Sequence, residues 1–89
     1  MTSTVTYKLN WVQDQMVSLP EGSTVITGML KDGVPCVWVK EDSSATRVSK
    51  EFRFFETKDE GYDAGYHYVC TVLVPDEHGG DESNLFMQK

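Results

Sequence analysis

The sequence is poor in positive charge. Eight Lys and Arg residues stand against fourteen Asp and Glu, giving a net charge of −6 over 89 residues. Such a surface repels phosphate backbones, and no Lys/Arg stripe offsets it, so direct nucleic-acid binding is disfavoured. Long apolar runs are also missing. No stretch approaches the roughly 20 apolar residues that a membrane helix needs. The first residues, MTSTVTYKLN, lack the charged-then-apolar order of a secretion signal, so the chain reads as cytoplasmic. Cysteine is limited to Cys36 and Cys70, and neither belongs to a CxxC pair. That argues against a thiolate metal site or a redox motif. In a reducing compartment both are expected as buried free thiols; a disulfide would need their strands to be adjacent. GxGxxG and GxxxxGK[ST] phosphate loops are absent.

A helical apolar stripe is missing as well, and what replaces it is a period of two. Val5, Tyr7, Leu9 and Trp11 alternate with polar residues over Thr4–Trp11. Further strands are expected at Met16–Leu19, Thr24–Lys31, Val34–Glu41, Arg47–Glu56, Tyr66–Val74 and Ser83–Gln88. Asp32-Gly33, between two of these runs, is a strong two-residue hairpin signal, because both turn positions need φ > 0. Cys36, Trp38 and Lys40 should share one face of their strand, with Val37 and Val39 on the other. On Tyr66–Val74, simple alternation places Tyr66, Tyr68, Cys70, Val72 and Val74 together. Both faces of that strand are apolar at its centre, which suggests a central strand or a face that meets a partner. Residues 1–89 therefore read as a single all-β domain. The expected architecture is a small antiparallel β-barrel or sandwich of about six to seven short strands, with little or no helix. A domain this small buries only about 60% of its unfolded surface, so self-association would help it, and a homo-oligomer is expected.

The negative charge gathers in the second half. After Lys58 the only cation is Lys89, while Asp59, Glu60, Asp63, Asp76, Glu77, Asp81 and Glu82 are acidic. Thr57–Gly65 and Pro75–Asp81 read as two acidic, glycine-containing loops. His78 with Asp76, Glu77 and Asp81 is the nearest approach to a metal-ligand cluster, but one histidine without fixed spacing is a poor zinc signature. No metal and no cofactor is expected. Nucleophilic catalysis needs a nucleophile beside a base. By alternation His67 and Cys70 fall on opposite faces, so they do not form such a pair, and the chain reads as non-enzymatic. Trp11, Trp38, Phe54, Tyr62, Tyr66 and Tyr68 are numerous for this length; they serve a core of large side chains, or an interface where Trp and Tyr are enriched.

Gln15, Val17, Leu19, Pro20, Gly22, Ile26, Gly33, Pro35, Cys36 and Trp38 follow a pattern of the form QxVxLPxG…GxPCxW. In these residues the chain resembles a family of small uncharacterised bacteriophage and prophage proteins. Phe52-Arg53-Phe54, Tyr68 through Val72, and Gly79-Gly80 extend the likeness; the acidic stretch after the glycines departs from it. The resemblance implies a phage-type origin, and hence a host cytoplasm, but no activity.

The leading expectation is a small phage-type accessory protein that binds and inhibits a host protein, with antiviral defence as the target class. Its contact surface would be Asp59, Glu60, Tyr62, Asp63, Tyr66, Asp76, Glu77, Asp81 and Glu82. One alternative is an oligomeric sponge that sequesters a signalling nucleotide, for which Arg47, Lys50 and Arg53 are the only cation cluster. A minor virion or assembly protein is another.

Overall fold

A computed structural model describes residues 1–89 and shows seven strands in two antiparallel sheets. The strands are β1 (Thr2–Lys8), β2 (Asp14–Pro20), β3 (Thr24–Lys31), β4 (Val34–Asp42), β5 (Arg47–Phe55), β6 (His67–Leu73) and β7 (Glu82–Met87), with one helix, α1 (Lys58–Asp63), between β5 and β6. One sheet has the order β1-β4-β3 and the other β2-β5-β7-β6. They stack as a sandwich and do not close into a barrel. No helix is long and apolar enough to cross a membrane.

Local chemistry sets the first sheet. Asp32 (φ 53°) and Gly33 (φ 74°) form the two-residue turn between β3 and β4, where both positions need a left-handed backbone. Pro35 lies in a central strand rather than at an edge. It is tolerated because the β1 pairing stops at Lys8–Cys36, so no ladder bond needs its missing N–H. Its carbonyl accepts instead from the Leu9 N–H at 2.7 Å.

The core lies between the sheets. Leu9, Leu19, Val37, Val39, Phe52 and Leu85 are almost wholly buried, each contributing about 1.5–3 kcal/mol. Register places Tyr7, Val37, Val39 and Glu41 on the inner face of the first sheet. Cys36, Trp38 and Lys40 face outward, as the alternation implies. On β3, Gly28 lies opposite Val37. A Cβ there would sit 2.7 Å from Cys70 Sγ and 3.1 Å from Val69 Cγ1. The missing side chain lets β3 close against β6 along that side of the sandwich.

Alternation fails in β6. A β-bulge between Tyr68 and Cys70 shifts the pairing with β7, and one extra residue inverts the faces beyond it. Tyr68 therefore points outward, while Cys70 and Val72 point into the core. His67 and Cys70 consequently share the inner face, contrary to the unbroken pattern. β6 is also an edge strand of its sheet, not a central one.

Phe86 is fully buried yet lies on the opposite face of the second sheet from the main core. There it meets Phe55, Tyr62 and Tyr68 edge-on, at ring-centroid distances of 5.3–5.4 Å. α1 covers this aromatic cluster, so the sandwich carries a small third layer.

Candidate functional site

The two acidic segments have different structures. Thr57–Gly65, expected as a loop, contains α1. Thr57 Oγ1 accepts from the Glu60 N–H at 3.2 Å and caps the helix, satisfying one of the N-terminal donors. At the other end Gly65 (φ 84°) and Tyr66 close the helix. The Gly65 N–H donates to Tyr62 O and the Tyr66 N–H to Gly61 O, at 3.0 and 3.1 Å, the Schellman pattern. Thr57-x-x-Glu60 followed by Gly65 is a legible start and stop signal. An apolar stripe never revealed it, because the residue that α1 buries is Gly61. Asp59, Glu60 and Asp63 are exposed on this helix. Tyr62 packs against Phe86 but remains 56% exposed. Tyr66 is half-buried and donates its hydroxyl to Glu51. That bond, with partial burial, raises the phenol above its ordinary pKa.

The second segment forms a short turn of 3₁₀ helix, Asp76–His78, held by backbone bonds to Pro75 and Asp76. It delivers His78 onto Trp11, with ring centroids 5.9 Å apart and an interplanar angle of 28°. Trp11 also stacks on Phe54 at 5.6 Å. The indole N–H donates to Gly33 O at 2.9 Å, which fixes the ring against the β3–β4 turn. Beside these rings lie two contiguous hollows of about 280 and 400 Å³. Both are lined by Glu56, Val74, His78 and Ser83; Trp11 and Phe54 wall the first, Asp81 and Glu82 the second. Together they form a groove that is aromatic at one end and acidic at the other.

No Lys or Arg lines this groove. The molecule's only ion pair joins the Met1 ammonium to Asp42 at 3.3 Å. The groove carboxylates therefore have no intramolecular counter-ion. Of the acidic residues singled out in the sequence, the fold brings Asp81 and Glu82 into the groove. It leaves Asp76 and Glu77 exposed on the turn and puts Asp59, Glu60 and Asp63 on the helix. Trp11, Phe54, Glu56, His78 and Ser83 complete the groove and were not foreseen as a group. They come from four separate parts of the chain, and no local pattern links them.

The candidate cations do not converge. Arg47 and Arg53 face away from the core, while Lys50 faces inward between them. Arg47 is engaged: it donates to Ser18 Oγ, Ser18 O and Tyr7 Oη at 2.9–3.1 Å. Tyr7 in turn donates to the buried Glu41 at 2.7 Å. Arg53 lies over the Phe55 ring at 5.2 Å.

Neither histidine makes a side-chain hydrogen bond, and His78 has none to Ser83 or Glu56. Cys36 and Cys70 are free and lie on strands of different sheets; Cys36 is buried, as expected, and Cys70 is half-buried. Burial pushes the Cys70 thiol up to about 11, which keeps it protonated and weakly nucleophilic at neutral pH.

By fold the molecule is a seven-stranded antiparallel β-sandwich with one helix on its outer face. Residues 1–79 match a family described as a domain of unknown function (DUF7352), and the chain belongs to that family. The match spans β1 through β6 and reaches His78, while β7 lies beyond it. No curated protein and no solved structure matches the chain.

Proposed function

We propose that this protein is a non-catalytic binding module that takes up a basic segment of a partner protein in the Trp11–His78–Glu82 groove. The carrying observation is a groove with stacked aromatic walls and three carboxylates, Glu56, Asp81 and Glu82, that no cation in the fold neutralises. A Lys or Arg side chain suits both ends. Its apolar stem lies along the rings and its head meets the carboxylates in charge-assisted hydrogen bonds. Stacked Trp11 and Phe54 add a cation–π contribution.

The phage-type origin rests on the resemblance carried by Gln15–Trp38. With it, the partner is read as a host protein, and binding as inhibition of a factor used in antiviral defence. Self-association is proposed through β6, an edge strand whose seven residues, HYVCTVL, include no Asp, Glu, Lys or Arg to blunt it. A monomer mass by light scattering at high concentration would remove that part.

The groove is tested by NMR titration with an Arg/Lys tetrapeptide. Shifts should concentrate on the Trp11 indole N–H, Glu56, His78 and Ser83, weaken with added salt, and vanish in an E56Q/D81N/E82Q variant. Shifts centred on α1, or none at all, would overturn the reading.

A further inference from the structure

At the opposite end of β6 from His78 lies a hollow of about 200 Å³ on the inner face of the second sheet. Its floor is Leu19, Val48 and Met87. Its polar lining includes Lys50, His67 and Lys89. In a chain with fourteen Asp and Glu residues, no acidic residue lines it. Lys50 is the unusual member. It pairs with Val17 on the core-facing side of β5, in the same row as Val48, Phe52 and Phe54. It is half-buried there and makes no hydrogen bond or ion pair. A cation drawn partly out of water is normally compensated by a counter-charge, and no acidic side chain lies within ion-pair distance of Lys50.

We propose that this cavity binds a small organic carboxylate, its anionic head held between Lys50 and His67 and its apolar body on Leu19, Val48 and Met87. Size sets the class. At about 30 Å³ per water-sized group, the hollow has room for roughly six or seven such groups, the scale of a small organic acid. The apolar floor favours a carboxylate with a hydrocarbon body over inorganic phosphate, which has nothing to bury.

The experiment titrates the full chain, followed by amide and methyl NMR, with benzoate, inorganic phosphate and butylammonium. Benzoate should shift Lys50, His67 and Met87, phosphate should bind less tightly, and butylammonium should leave these residues unmoved. Loss of one charge-assisted bond corresponds to about tenfold in affinity, so Lys50→Met should weaken benzoate by at least about that factor, and His67→Gln less. Lys50→Gln serves if the Met variant misfolds. The groove variant E56Q/D81N/E82Q should bind benzoate unchanged, so this site and the acidic groove fail independently. Tighter binding of phosphate, equal binding of butylammonium, or undiminished benzoate binding by both Lys50 variants would overturn the assignment.

Discussion

Residues 57–66 and 75–83 have similar composition: acidic, with glycines and few apolar side chains. Folding treats them differently. The first becomes a capped helix that seals Phe86 under the outer face of the second sheet. The second stays irregular, fixed by its own backbone bonds, and holds His78 against Trp11 beside unpaired carboxylates. The difference lies in a few positions. Thr57 and Gly65 cap a helix, and Gly61 lets it approach an aromatic ring. Pro75 and the positive-φ glycines Gly79 and Gly80 stop the other segment after a single 3₁₀ turn. Acidity alone therefore does not mark a functional surface here. One segment's charge is the solvent face of a structural cover, and the other's lines a groove.

The largest expected effect breaks the cover. A Cβ at Gly61 would collide with Cε1 and Cζ of Phe86, and that ring is confined by Phe55, Tyr62 and Tyr68. Gly61→Val should cost about 3 kcal/mol, the upper end of overpacking penalties, read as a fall in urea midpoint. An unchanged midpoint would show that α1 does not press on the aromatic cluster.

Asn84 comes next. Its amide donates to Phe55 O and Glu56 O at 3.2 and 3.1 Å, and its Oδ1 accepts from Thr71 at 2.7 Å. These bonds hold the junction where β5 turns toward α1 on one side and the groove on the other. Asn84→Ala removes the three bonds made by this buried amide, at about 2 kcal/mol. It should also disturb the amide resonances of both acidic regions, whereas Gly61→Val should disturb only the first.

Thr57→Ala should cost about 1 kcal/mol by removing the helix cap. Hydrogen exchange in α1 should then accelerate while the groove stays protected. Uniform acceleration across both would mean that the two regions are not separable.

Glu56→Gln and Glu82→Gln sharpen the contrast from the other side. Neither carboxylate has a partner in the fold, so stability should stay within about 0.5 kcal/mol of the parent. Affinity for the basic peptide should nevertheless fall. Asp59→Asn on the helix should change neither.

The smallest effect is acid dependence outside both regions. Asp42 accepts from Ser44 Oγ and N at 2.7 and 3.0 Å and from the Met1 ammonium, and the Ser44 bonds chiefly lower its pKa from 3.8 to about 2. The folded value lies below the unfolded one, so this carboxylate stabilises the fold fully above pH ~4 and stops doing so as pH falls through ~2. The stability gap between the parent and Asp42→Asn should close over that window. A gap that is constant with pH would contradict the assignment.

Much of the fold was legible. Alternating Val5, Tyr7 and Leu9, the Asp32-Gly33 turn and the Val37/Val39 row each state their structure over a few residues. The helix was legible too, but through its caps rather than a stripe. The candidate groove was scarcely legible. Asp81 and Glu82 were singled out as contact residues, and Trp11, Phe54 and His78 only separately and for other roles, because strand order and not spacing brings them together with Glu56.

What the sequence determined by itself was local: where strands alternate, where the chain reverses, and where a helix is capped. Those signals act over two to six residues, within reach of backbone sterics and neighbouring hydrogen bonds. Tertiary structure decided which faces those residues present. One bulge at Val69 turned Cys70 and Val72 inward and put His67 on the same face, because a period of two inverts with a single extra residue. Strand order then placed Lys50 in the wall of a cavity without an acid, and laid His78 on Trp11. Such proximities depend on which distant strands pair, and no short stretch of this chain encodes that.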